Sequence, residues 1–110
     1  MPDPSTPPSG SQTLTLTGSA TTVIGQDLSL SVAGQATGAV AHDTQLSVGG
    51  KLRIEAADEI TLVVGQASLV MKKDGTIVLS GKNITVDASG KINVKASSDL
   101  VLKGSKIQNN

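Results

Sequence analysis

The sequence contains no phenylalanine, tyrosine, tryptophan or cysteine. Aromatic side chains usually supply much of the buried area of a globular core, so their absence disfavours a compact, self-sufficient core. The absence of thiols excludes a disulfide framework and thiol chemistry. Without aromatic platforms, base stacking on a single-stranded nucleic acid is excluded and a polysaccharide-cleaving groove is disfavoured.

Charge is also scarce and unevenly distributed. Charged residues make up 16% of the chain, against roughly 25% in typical soluble domains. The formal net charge is zero at pH 7, which gives no global electrostatic support for a nucleic-acid partner. Residues 71–110 nevertheless hold seven lysines and three aspartates. We interpret these lysines as solvated corner residues that also discourage unwanted edge pairing.

Neither a signal peptide nor a transmembrane segment is predicted. The N-terminus lacks a charged region followed by an apolar run, and apolar runs such as residues 62–64 are far too short to span a bilayer. Residues 1–12 contain all four prolines of the chain and are predicted to form an extended or disordered leader or linker.

What the chain does contain is a repeat of about eight residues. From residue 77 onwards, apolar residues recur as pairs two positions apart, which places both side chains of a pair on one face of a strand. The pairs begin seven, eight and eight residues apart, and a further apolar residue follows after seven: Ile77/Leu79, Ile84/Val86, Ile92/Val94, Leu100/Leu102 and then Ile107. Glycine, serine, asparagine, aspartate and lysine fill the intervals and suit tight corners.

The repeat divides the remainder of the chain into two sections. Residues 13–45 show an irregular version and residues 46–107 a regular one, within a single repetitive region over residues 13–110. About a dozen short strands are expected, and no stretch shows helical periodicity. The corners of the regular section carry glycines: Gly49, Gly65, Gly75, Gly81, Gly90 and Gly104.

A strand with two inward residues buries little alone, so the repeat predicts an all-β structure of one of two kinds. One chain winds a thin solenoid, or three chains wind around a common axis. The composition favours the second, a triple-stranded, intertwined homotrimeric β-helix, because three aliphatic strands fill a slender prism without aromatics. The predicted trimer core is Leu52, Ile54, Ile60, Leu62, Val64, Leu69, Met71, Ile77, Leu79, Ile84, Val86, Ile92, Val94, Leu100 and Leu102.

Three features of residues 46–107 carry a family resemblance. They are the run SLVM-x-x-DGTI at residues 68–77, the GKNITV unit at residues 81–86, and the corners Val48-Gly49, Val64-Gly65 and residues 102–104. With these motifs the chain resembles the C-terminal β-helix of the VgrG spike proteins of type VI secretion systems. It is also similar to the needle of contractile-phage central tail spikes. Residues 13–45 share only the style of the repeat.

The resemblance implies a non-enzymatic, homotrimeric needle that punctures a target envelope. Such a needle is made in the bacterial cytoplasm, is secreted by the contractile machine, and meets the target-cell membrane transiently. Its distal end is expected to dock a PAAR-repeat cap protein or an effector, and in this chain that end is Ile107, Gln108, Asn109 and Asn110. The alternative is a trimeric fibre or adhesin stalk that binds a surface receptor.

Candidate catalytic and metal-binding residues do not form a convincing site. His42 is the single histidine and has only Asp43 beside it, whereas a metal centre or general base needs further partners. Glu55, Asp58 and Glu59 are interpreted as solvated corner charges rather than as paired catalytic carboxylates. We therefore expect no enzymatic activity, no metal and no cofactor.

Overall fold

A computed structural model describes residues 10–109 of the chain. Most of the proline-rich leader, and Asn110 of the predicted distal end, lie outside the described residues. Three strands are present over residues 10–109, namely β1 (Glu59–Val64), β2 (Ala67–Lys72) and β3 (Ile77–Ser80), and this range contains no helix. The prediction of an all-β chain is confirmed.

The contacts divide the chain into two units, residues 1–46 and 47–110. Within the described part of the first unit, residues 10–46, the backbone shows bends but neither strand nor helix. All three strands belong to the second unit. They form one antiparallel sheet in the order β1-β2-β3, so each strand pairs with its neighbour in sequence. Valine, isoleucine and threonine in these segments favour a pleated sheet.

The β1–β2 connection is a two-residue turn. Val64 pairs with Ala67, and Gly65 takes a φ of +52° at the first turn position. A glycine there is typical of type II′ hairpins, whose twist matches that of the flanking strands. The turn therefore determines which residues of β1 and β2 lie opposite each other.

Residues 73–76 connect β2 to β3, and residues 73–75 form a three-residue hairpin loop closed by backbone hydrogen bonds. The Lys72 N–H donates to the Thr76 carbonyl at 2.9 Å, and the Gly75 N–H donates to the Lys72 carbonyl at 3.0 Å. Gly75 has a φ of +93°, a left-handed conformation that glycine adopts without strain. The pattern matches a turn followed by a glycine bulge, which is common in three-residue hairpin loops.

The structure differs from the sequence prediction in its number of strands. About a dozen were expected, whereas residues 10–109 contain three, and the apolar pairs after Ser80 lie in backbone with no ladder partner. A strand needs a neighbour to accept its hydrogen bonds. Two tight turns supply that neighbour between residues 59 and 80, but the later repeats have none within one chain. Successive strands of the sheet also pair with each other instead of crossing to another face.

The described part of the chain has no hydrophobic core, since no residue there is buried. The whole chain exposes 12011 Å² of surface. A folded monomer of this mass exposes about 5,600 Å², and the extended chain about 16,000 Å². The surface is thus about twice that of a self-contained domain.

Candidate interaction surface

One face of the sheet is entirely apolar. Alternate residues of a strand share a face, and residues directly opposite across a ladder lie on that same face. The register therefore assembles rows of aliphatic side chains across the three strands. We call this set the apolar face, and its members are Ile60, Leu62, Val64, Ala67, Leu69, Met71, Ile77 and Leu79.

The opposite face of the sheet is mixed in character. Its charged members, Glu59 and Lys72, lie directly opposite each other in the β1–β2 ladder. Thr61, Val70 and Val78 form the next row, followed by a row of Val63, Ser68 and Ser80. Because water solvates the hydroxyls and charges of this face, the sheet has one side suited to solvent and one suited to a partner.

The apolar face is open in the single chain. Leu62, Val64, Ile77 and Leu79 are exposed, while Ile60 and Leu69 are half-buried. Soluble monomers rarely expose a contiguous patch of large aliphatic side chains, and such a patch marks an interaction site. The arrangement can bury side chains against a second apolar surface, but it offers no group for acid–base or nucleophilic chemistry.

The sheet brings together seven of the fifteen predicted core residues. Those seven are Ile60, Leu62, Val64, Leu69, Met71, Ile77 and Leu79. The other eight lie outside the strands and are exposed in the single chain: Leu52, Ile54, Ile84, Val86, Ile92, Val94, Leu100 and Leu102. Of these, Ile54 lines a shallow pocket together with Ile60 and Met71 of the apolar face. Ala67 was missed by the sequence reasoning because a small residue gives a weak apolar signal, although its position opposite Val64 places it on the face.

The predicted corner glycines differ in what the backbone requires of them. Gly65 and Gly75 have positive φ, whereas Gly49, Gly81, Gly90 and Gly104 do not. At Gly75 and at Gly90 an added Cβ would meet no atom within 4 Å. The two positions therefore differ in backbone conformation and not in available space.

The charged groups of the second unit are at its surface. The Lys73 ammonium lies 3.5 Å from the Asp58 carboxylate, and the Lys73 N–H donates to the Asp58 carbonyl at 3.0 Å. The Arg53 guanidinium contacts the Glu55 carboxylate at 2.7 Å. Glu55 and Asp58, two of the acids that were considered for catalysis, are therefore each paired with an exposed cationic side chain.

Asp74 organises the β2–β3 loop. Its carboxylate accepts a hydrogen bond of 3.0 Å from the Thr76 N–H, which closes an Asx turn. This bond and a second one from the Thr76 hydroxyl stabilise the ionised form, and they hold the pKa of Asp74 below its ordinary value of 3.8. The conformation of the β2–β3 loop is thus stabilised by Gly75, which adopts the positive φ, and by the Asp74 carboxylate, which accepts the hydrogen bond.

Residues 10–109 contain neither a metal-binding cluster nor a membrane-spanning helix. No group of three or more His, Cys, Asp or Glu side chains in this range is placed to hold a metal ion, and His42 therefore belongs to no such cluster. In the same range there is no helix with the length and apolarity needed to cross a bilayer.

Comparison with known proteins identifies a related segment. No protein-family profile matches the chain. A stretch of 28 residues is 75% identical to the type VI secretion system spike protein VgrG1b of Pseudomonas aeruginosa PAO1. The match covers 26% of this chain and only 4% of the length of that protein. The chain thus carries a segment related in sequence to a VgrG spike protein.

Proposed function

We propose that this chain is a needle segment of a VgrG-type spike, in which three copies form a triple-stranded β-helix. The needle is a non-enzymatic structural element that punctures the target envelope when a type VI secretion machine contracts. One observation carries the proposal: a chain with no buried residue among those described presents a sheet face made only of aliphatic side chains. The sequence relation to VgrG1b supports the type of machine.

The surface area supports a partner that runs along the chain. A compact trimer of about 33 kDa exposes about 12,500 Å², or about 4,200 Å² per chain. Starting from 12011 Å², trimer formation would cover at most about 7,800 Å² per chain, because a slender needle exposes more surface than a compact trimer. A standard protein–protein interface covers only about 800 Å² per partner. A second copy of this chain has the same length and the same spacing of apolar residues, so it meets the requirement.

Three copies enclose the two inward side chains of each short strand more completely than two copies would. Each repeat offers two inward aliphatic side chains, and three such strands enclose a filled prism with no space for a ligand or a groove. Backbone groups that have no partner in one chain would then pair between chains. The isolated chain is accordingly expected to be unstable.

The native mass tests the proposal directly. Light scattering on the purified protein should give about 33 kDa, three times the 11.0 kDa of one chain. A stable, folded species of about 11 kDa would overturn the trimer. To separate a needle from a fibre or adhesin stalk, the tagged protein is followed in a type VI-active strain. A needle reaches the medium only when the sheath can contract, whereas release that is independent of contraction contradicts the spike assignment.

The distal end is proposed to dock a PAAR-type cap or an effector. Ile107 is an exposed aliphatic residue close to the C-terminus of the chain, flanked by polar side chains. Changing Ile107 to Asp should remove binding of a PAAR-repeat protein in a pull-down assay. Gln108→Asp, which adds the same charge one position along, is the matched control and should bind as the wild type does. Unchanged binding of Ile107→Asp would count against docking at this end.

A further inference from the structure

We propose that the sheet of β1, β2 and β3 is the trimerisation nucleus of the needle and sets the register of the three chains. Its binding partner is the apolar face of further copies of the same sheet. This inference rests on the proposed self-association. It adds that residues 59–80 determine how the three chains align, whereas the later repeats lengthen the needle in that alignment.

The repeats after Ser80 specify their alignment weakly. A shift of one chain by a single repeat places the pair Ile84/Val86 beside Ile92/Val94, so aliphatic side chains again meet aliphatic side chains. Alignment is strongly specified only where a shift exposes apolar residues or buries polar ones. A rod built from such repeats alone would therefore assemble in several registers. It needs one segment that differs from all the others.

Residues 59–80 are that segment. They contain every strand of the described chain, and their ladder partners lie within the same chain. The turn at Gly65 and the loop at Gly75 fix the pairing, so that the aliphatic rows align before a second chain arrives. Pairing between neighbours in sequence closes short loops, which is fast compared with long-range pairing.

The sheet is also suited to trigger association. A two-stranded hairpin alone is marginally stable in water, and independent stability needs three or more strands with a hydrophobic face. The sheet of β1, β2 and β3 just reaches that number, and its hydrophobic face is open in the single chain. The apolar face carries no charge and no hydrogen-bonding side chain, so it selects a partner of equal apolarity. Three copies of the face supply that partner. Ile77 and Leu79 belong both to this face and to the series of apolar pairs that continues to Ile107, so the nucleus continues directly into the proposed core.

Two glycine variants of the full chain test the inference. In Gly75→Ala, the residue must adopt a φ of +93°, which strains any L-amino acid, although the added Cβ meets no atom within 4 Å. Gly90→Ala adds the same atom in equally open space, where φ is not positive. Unfolding in guanidinium and refolding after dilution are followed by far-ultraviolet circular dichroism, with the native mass measured at the end.

The expected result is a difference between the refolding rates. If the sheet forms before the chains associate, Gly75→Ala refolds about tenfold more slowly than wild type while its unfolding rate is unchanged. The refolded sample also contains species heavier than about 33 kDa, because chains that join out of register leave unpaired repeats at both ends. Gly90→Ala refolds at the wild-type rate to a single trimer mass.

If Gly75→Ala does not assemble, a variant that perturbs the same loop less strongly still tests whether the sheet forms first. Asp74→Ala removes the 3.0 Å hydrogen bond from the Thr76 N–H but retains the glycine. It should slow refolding about threefold and leave unfolding unchanged. A wild-type trimer whose Gly75→Ala, Asp74→Ala and Gly90→Ala variants all refold at the wild-type rate would overturn the nucleus alone. A wild-type monomer would instead overturn the proposed function.

Discussion

Leu62 lies directly opposite Leu69 in the β1–β2 ladder, while the adjacent Val63 lies opposite Ser68 on the other side of the sheet. In the single chain the exposed fractions of Leu62 and Val63 are almost equal, at 59% and 63%. Exposure alone therefore does not show which of these two residues belongs to the apolar face. The register does, because it places Leu62 among aliphatic side chains and Val63 among hydroxyls.

This pair gives the sharpest test of the apolar face. Leu62→Asp should abolish the trimer, because three carboxylates would be buried in one apolar layer without partners. Val63→Asp, one residue along, should assemble normally. Light scattering should give about 11 kDa for the first variant and about 33 kDa for the second, from a chain of 11.0 kDa. A trimer of Leu62→Asp, or loss of the trimer in Val63→Asp, would show that the other face is covered.

Asp74 predicts a dependence of stability on pH. Hydrogen bonds from Thr76 hold its folded pKa below the ordinary value of 3.8, so the ionised form is favoured in the folded chain. The resulting stabilisation is present above pH 3.8 and is lost as the pH falls through the lower, folded pKa. Because this carboxylate is fully exposed, the effect should be small.

The prediction for Asp74 is tested by measuring the midpoint of guanidinium-induced unfolding above and below pH 3.8, at constant protein concentration. The control is Asp74→Asn, in which the introduced amide oxygen can still accept the bond from Thr76 but the side chain does not titrate. The difference between wild type and Asp74→Asn should therefore change with pH below 3.8 and stay constant above it. A constant difference across the whole range would contradict a role for the ionised carboxylate.

Much of the sheet could be predicted from sequence patterns, but the pairing of its strands could not. Alternation at residues 60, 62 and 64, and at 69 and 71, predicts shared faces because successive strand residues point to opposite sides, and the ladder register places these residues on one face of the sheet. Gly65 and Gly75, two of the six predicted corner glycines, are the two that have positive φ. The antiparallel pairing of consecutive strands was not predicted, because an i, i+2 spacing determines a face and not a neighbour. Ala67 was missed because its side chain is small.

The repeats after Ser80 show a different limit of sequence reasoning. Their pattern is the most regular of the chain, yet the structure has no strand there within the described residues. A single chain cannot supply both sides of a hydrogen-bonded ladder unless it turns back on itself, and the corners at Gly81 and Gly90 lack the positive φ found at Gly65 and Gly75. Regular spacing therefore predicts which side chains share a face, but it does not supply the neighbour that a strand needs within one chain.

The exposed ion pairs should contribute little to stability. Arg53 and Glu55 are in contact at 2.7 Å, and Lys73 and Asp58 at 3.5 Å, but all four side chains are largely solvated. Exposed pairs typically contribute at most about 1 kcal/mol, because water and salt screen them. Arg53→Ala and Lys73→Ala should each change the free energy of unfolding by less than about 0.5 kcal/mol, measured by denaturation at fixed protein concentration. A change above about 2 kcal/mol would indicate that assembly buries the pair.

Ile92 tests whether the later repeats share a core that the single chain does not contain. It is 53% exposed, and its neighbour Asn93 would point to the opposite side of a strand. Ile92→Asp should abolish assembly, because it would bring three unpaired carboxylates into one layer of the proposed needle. Asn93→Asp adds the same charge outside that layer and should leave a trimer of about 33 kDa, three times 11.0 kDa, by light scattering. A folded trimer of Ile92→Asp would mean that the wrong side of the repeat has been assigned to the core. If Leu62→Asp disrupted the trimer and Ile92→Asp did not, the association would be confined to the sheet, and the proposed needle would not extend through the repeats.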